Sequence, residues 1–192
     1  MSQPLARPWT PDEFLAWERE QPERSEFDGV QPVPRGMVGG TRPHARLSAR
    51  LLVALSARAA PPCGAFGPDL TVVARGRLRY LDAMVECGRH GDGDVATPAV
   101  VFEVLSPSTE RTDRGVKAQD YMAEPYVLAV VLLAQDRPEA TVLRRSADWQ
   151  PEVARGPGAV IALPEIGLDL PLAAIYPAPQ PIGRPATPPE PA

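Results

Sequence analysis

The strongest constraint on this fold is a pair of short runs that are apolar on both faces. The first holds Val100, Val101, Phe102, Val104 and Leu105, and the second runs from Val127 to Leu133. Successive side chains of a strand point to opposite faces, so such runs belong inside a sheet covered on both sides. Between them Ser106-Pro107-Ser108-Thr109 breaks the first strand. Ser108 or Thr109 then caps a helix with Glu110 to Ala123 as its body. Two-faced strands joined through a helix imply a parallel pair with a crossover, right-handed by default. The expected class is α/β, a mixed central sheet flanked by helices.

Glu103 sits in the middle of the first run. A carboxylate in an apolar sheet costs several kcal/mol unless it is paired, protonated or bound to a metal. The next helix carries Lys117, the only lysine among the 20 basic residues of the chain. Lysine is a movable point charge where arginine is a fixed fork, so the exception draws attention to the stretch Ala99–Tyr121.

A chain of 192 residues can bury one full core. We expect one domain over residues 9–176, a disordered N-terminus over 1–8, and a disordered tail over 177–192. That tail, PAPQPIGRPATPPEPA, has almost nothing to bury. No run approaches the roughly 18 apolar residues of a membrane span. MSQPLARPWTPDEF lacks the apolar segment of a secretory signal, so a cytoplasmic location is expected. Cys63 and Cys87 are too few for a disulfide framework or a zinc cluster, and read as reduced, partly buried side chains. The formal charge of −4 argues against a protein that coats nucleic acid non-specifically.

Along the chain, Thr10-Pro11-Asp12-Glu13 is a capped helix start. Ser25-Glu26-Phe27 and Asp28-Gly29-Val30 read as a tight hairpin carrying Glu26. A loop over Gly36 to Pro43 leads to a helix from about His44 to Ala59, with Leu47, Leu51 and Leu55 as its buried stripe. Arg42, Arg46 and Arg50 recur on another face, as a solvated ridge or a phosphate contact. His44 reads as a polar cap. Pro61-Pro62-Cys63-Gly64 is a turn, and a strand follows near Leu70 to Val73. A second strand, from Leu78 to about Cys87, would place Asp82 on one face between Tyr80 and Met84. Asp92-Gly93-Asp94 lacks the further ligands of a calcium loop. Ala140 to Arg145, Val160 to Leu163 and Ile166 to Leu170 complete the sheet.

Lys117 can reach the level of Glu103. The acid lies roughly 10 Å before its strand end and the lysine roughly 12 Å into a helix running back. Asp113 and Tyr121, four residues either side of Lys117, share its helix face and would orient it. Two acids and a lysine suit phosphodiester hydrolysis: carboxylates hold Mg²⁺, and the ammonium stabilises growing negative charge. Glycosidase chemistry needs aromatic platforms, and aromatic residues are only 6% here. Neither histidine serves a nucleophile elbow.

The segments WTPDEFLAW, SEFDG, PHARLSARLL, FEVLSPSTERTDRGVKAQDY and LPEIGLDLPLAAIY span about Trp9 to Pro177. Through them the chain resembles the Uma-two-type family of bacterial endonucleases, within the PD-(D/E)XK nuclease superfamily. The resemblance implies a restriction-endonuclease-like fold and a DNA endonuclease using Mg²⁺ or Mn²⁺. It implies Asp82 and Glu103 as metal ligands, Lys117 as catalytic lysine and Glu26 as an auxiliary acid. Leu105 stands where the superfamily has its lysine, which the next helix would replace. Leu81 stands in place of the family's proline. Many such enzymes cut as homodimers, which makes a homodimer an expectation; no interface is legible. Two other readings compete: a catalytically inactive nucleic-acid-binding or regulatory protein on the same fold, and a structural domain with a buried Glu103–Lys117 pair.

Overall fold

The two apolar runs are neighbours at the centre of a six-stranded sheet. A computed structural model describes residues 9–34, 41–88, 93–105 and 113–176. The strands that organise it are β3 (Cys63–Phe66), β6 (Ala83–Cys87), β8 (Val100–Leu105), β9 (Ala129–Ala134), β10 (Glu139–Arg144) and β11 (Pro151–Arg155), in the order β11-β10-β9-β8-β6-β3. β8 and β9 pair in parallel from Val100 opposite Ala129 to Leu105 opposite Ala134, as two-faced burial requires. The remaining contacts of this sheet are antiparallel.

Each face of β8 is covered by a different element. Val100, Phe102 and Val104 pack with Leu47, Leu51 and Leu55 of helix α2 (Arg42–Ser56). Val101 and Leu105 pack with Ala118 and Tyr121 of helix α3 (Ala118–Ala123). Glu103 shares the parity of Val101 and Leu105, so its side chain belongs to the α3 face. Ahead of α3, Asp113–Lys117 form a π-helical turn rather than the start of one regular helix. The expected cap at Ser108 or Thr109 lies outside the described residues, as do the two termini at 1–8 and 177–192.

A second sheet has the order β2-β1-β5-β4-β7, from β1 (Ser25–Phe27), β2 (Pro32–Pro34), β4 (Thr71–Ala74), β5 (Arg77–Tyr80) and β7 (Val95–Ala96). Helix α1 (Pro11–Glu18) opens with the expected capping box between Thr10 and Glu13 and packs Phe14 against Phe27 and Leu78. In the β1–β2 turn the Asp28 carboxylate accepts the N–H groups of Val30 and Gln31, and Gly29 takes φ +95°.

Several expectations are corrected. The strand from Leu78 to Cys87 is two strands: β5 lies in the small sheet, β6 in the large one, and the chain crosses between them at Leu81–Asp82. Asp82 therefore does not share a strand face with Tyr80 and Met84. Helix α2 begins at Arg42, because Thr41 caps it through the His44 N–H and Pro43 fits its first turn. Cys63-Gly64 is the start of strand β3, not part of a turn. That strand faces β6 with Cys63 opposite Cys87, and the two sulfurs are joined in a disulfide, not reduced. β12 (Val160–Leu163) and β13 (Leu168–Pro171) make a hairpin of their own, which caps the α2 face together with helix α4 (Leu172–Ile175). Their apolar residues alternate with exposed ones, so a separate ribbon buries them as well as a place in the main sheet would. No helix among the described residues is long and apolar enough to cross a membrane.

Candidate active site

The site forms where the large sheet stops. The β6–β8 register pairs Ala83 with Phe102 and Met84 with Val101, so one further step sets Asp82 opposite Glu103. β6 ends at Ala83, which would leave the Val104 N–H without a ladder acceptor. The Asp82 carboxylate takes that bond, Oδ2 accepting it at 2.7 Å. The same oxygen lies 3.3 Å from His44 Nε2 in the first turn of α2. Glu103 is only 4% exposed, and its Oε1 accepts a 2.8 Å bond from the Tyr121 hydroxyl. Burial and the Glu103 carboxylate hold the Tyr121 phenol well above its ordinary range, so it remains a donor.

Lys117 enters from the end of the π-helical turn. Its ammonium lies 3.1 Å from Glu26 Oε1 on β1. The other oxygen of Glu26 accepts a 2.8 Å bond from Arg79 on β5. Arg79 Nη2 donates in turn to Asp120 Oδ2 at 3.1 Å, and Arg77 Nη1 reaches Asp120 Oδ1 at 2.7 Å. Asp120 is 1% exposed, so two arginines and one acid form a buried anchor behind the Glu26–Lys117 pair. Acids and bases alternate along the row, each holding the next.

The structure brings Glu26 and Lys117 into contact and sets Asp82 on the Val104 N–H, next in the chain to Glu103. Glu103 lies on the α3 face against Tyr121, Asp82 turns to the Val104 N–H and to His44 of α2, and Glu26 and Lys117 meet between the small sheet and the π-helical turn. Sequence reasoning placed Tyr121 beside Lys117, whereas the structure gives its hydroxyl to Glu103. It also missed His44, read as a cap, and the Arg79–Asp120 anchor. A histidine at the start of an amphipathic helix is a weak signal, because its partner Asp82 is 38 positions away in the chain. Arg79 and Asp120 carried no signal beyond two more charges.

Asp82 and Glu103 offer hard carboxylate oxygens, which suit Mg²⁺ or Mn²⁺ better than soft ions. Among the described residues no group of three or more His, Cys, Asp or Glu gathers in metal-binding geometry. Mg²⁺ in general takes one or two carboxylates and fills its shell with water and phosphate oxygens.

The fold is shared with a solved structure. It is similar to the crystal structure described as "a putative nuclease belonging to DUF820" from Anabaena variabilis, with TM-score 0.67 and 20% identity, covering 88% of this chain and 97% of that one. The sequence is 30% identical over 148 residues to an uncharacterised protein of Synechocystis sp., spanning 73% of this chain and 77% of the relative. The Uma2 family, described as "Putative restriction endonuclease", matches residues 11–173. The chain belongs to that family.

Proposed function

We propose that this protein is a metal-dependent endonuclease that hydrolyses phosphodiester bonds in DNA. The observation that supports the reading is the Asp82 carboxylate on the Val104 N–H, beside buried Glu103, just where the β6–β8 ladder stops. In this reading Asp82 and Glu103 hold Mg²⁺ or Mn²⁺. Bound there, the ion supplies Lewis acidity toward phosphate oxygens and toward water.

The chain's own residues do the rest. His44 and the Val104 N–H fix one Asp82 oxygen, leaving the other free to turn toward the substrate. Tyr121 fixes Glu103 from the helix side. Lys117 brings a positive charge to the phosphate and offsets the negative charge that grows on it. Glu26, anchored by Arg79, holds the ammonium in place and acts as an auxiliary acid beside it.

The test is nicking of supercoiled plasmid in Mg²⁺ or Mn²⁺. Glu103→Ala should abolish nicking, and Lys117→Ala should slow it by about 10²–10³-fold. A wild-type protein that shifts DNA on a gel but never nicks it would replace this reading with that of a binding protein.

A further inference from the structure

We propose that the outer flank of α2 is a docking track for the DNA phosphodiester backbone, formed by Arg42, Arg46 and Arg50. The inference rests on the endonuclease reading above and adds where the strand runs beyond the site. The three arginines are exposed and recur every four residues, which stacks them in one row about 6 Å apart. They wall a cleft of about 230 Å³ lined also by Leu47, Ile175 and Tyr176.

What sets this row apart is its lack of counter-charge. Several surface arginines elsewhere hold carboxylates: Arg19 with Asp94 at 3.2 Å, Arg137 with Asp136 at 3.1 Å, Arg155 with Glu139 at 2.9 Å. Among the described residues Arg58 and Arg75 have no ion pair either, but they do not extend the row. Among the described residues, none of the three arginines of the α2 row has an acidic partner. The chain supplies none nearby in sequence either. From Gly29 to Pro68 it holds Arg35, Arg42, Arg46, Arg50 and Arg58 and not one Asp or Glu, although the whole protein carries −4. A strip of uncompensated arginine on an acidic molecule attracts a polyanion locally and repels it elsewhere.

Position and length fit the backbone of a nucleic acid. The row starts in the same helical turn as His44, which meets Asp82, and leads away from the sheet end. From Arg42 to Arg50 the helix rises about 12 Å. A single DNA strand advances about 3.4 Å per phosphate along its axis, so the row spans three to four phosphates. Guanidinium forks suit phosphate oxygens, and spreading them along a helix suits a chain of phosphates better than one compact ligand.

The experiment is a salt titration of binding to a short fluorescent DNA duplex, read by anisotropy with Ca²⁺ in place of Mg²⁺. Each phosphate contact contributes about 0.9 to the slope of log K against log salt. The variant R42Q/R46Q/R50Q should therefore show a slope shallower by roughly 2.7, and R42K/R46K/R50K should restore most of it. Arg50→Gln alone, which leaves two thirds of the row, should lose about 0.9 and covers the case of a triple variant that does not fold. Arg155→Gln, whose charge is already paired, should keep the wild-type slope. Plasmid nicking at raised salt should fall in the glutamine triple variant and not in Arg155→Gln. An unchanged slope in R42Q/R46Q/R50Q alongside a wild type that nicks DNA would overturn this inference alone. Binding of duplex RNA but not DNA would overturn the assigned occupant. A wild type that neither binds nor nicks DNA would remove the endonuclease reading and the track together.

Discussion

Tyr121 and His44 each hold one of the two acids by a single atom. The Tyr121 ring is fully buried, and its hydroxyl gives Glu103 a bond that water cannot supply there. Tyr121→Phe keeps the ring and removes that donor. Hydrogen bonds to charged groups are worth about 1.5–3 kcal/mol, so urea denaturation should show a loss of that size. An unchanged midpoint would mean that the hydroxyl contributes nothing. His44 is partly exposed and touches Asp82 from α2. Second partners of metal-binding carboxylates typically matter by about 10–100-fold in activity. His44→Ala should slow plasmid nicking by that factor without moving the melting temperature of this exposed helix turn. Equal nicking rates would reduce the contact to a surface pair.

At the scale of elements, the anchor on β5 and α3 matters most. Asp120 joins Arg77 and Arg79, and through Arg79 it ties helix α3 to the small sheet. Removing one member of a buried pair leaves the other charge uncompensated, at a cost of about 3–5 kcal/mol. Asp120→Ala should lose toward the lower end of that range in urea denaturation, because Arg79 keeps its bond to Glu26. Arg77→Ala should lose clearly less, because Arg77 is one-third exposed and water screens what remains. Similar losses for both would mean that Arg77, not Arg79, carries the anchor. The elements also show where sequence reading succeeds. Continuous apolar runs led to β8 and β9 and to their parallel pairing, because burial on both faces leaves a strand few other places. The Thr10 capping box and the Asp28-Gly29 turn were legible for the same reason: local chemistry determines them. Asp82 was located but not understood, since alternation cannot reveal that a strand leaves one sheet for another within two residues. β3 and β11 carry few strong apolar signals, although β11 pairs with β10, the strand just before it in the chain.

For the whole molecule, the four tyrosines act in one direction. Burial raises all of them: Tyr80 also through its bond to Glu18, Tyr121 through Glu103, Tyr126 to about 12 with Glu124 adding, and Tyr176 higher still. The folded protein thus keeps these protons above pH 10, where an unfolded chain releases them. More protons are bound in the folded state, so stability is fully present below pH 10 and falls as pH rises beyond it. Urea midpoints should decline steeply above pH 10, and the decline should be shallower in Tyr121→Phe. A flat profile to pH 11 would contradict the burial of these phenols. At this scale the sequence also singled out four candidate residues, Glu26, Asp82, Glu103 and Lys117, because acids and a lone lysine stand out against apolar and arginine-rich surroundings. Their supports, His44 and the Arg79–Asp120 anchor, are visible only once the chain is folded.

The crossing at Leu81–Asp82 has a mechanical side. Glu26 and Arg79 ride on the small sheet, Glu103 on the large one, and Asp82 sits on the two-residue bridge between them. These candidates are therefore split between two bodies like the jaws of a clamp, with one acid at the pivot. A substrate gripping both jaws would staple the sheets together, and binding to the folded form alone raises its melting temperature with the logarithm of ligand concentration above Kd. The jaws, rather than the cores of either sheet, are where such a gain in rigidity would first appear in hydrogen exchange.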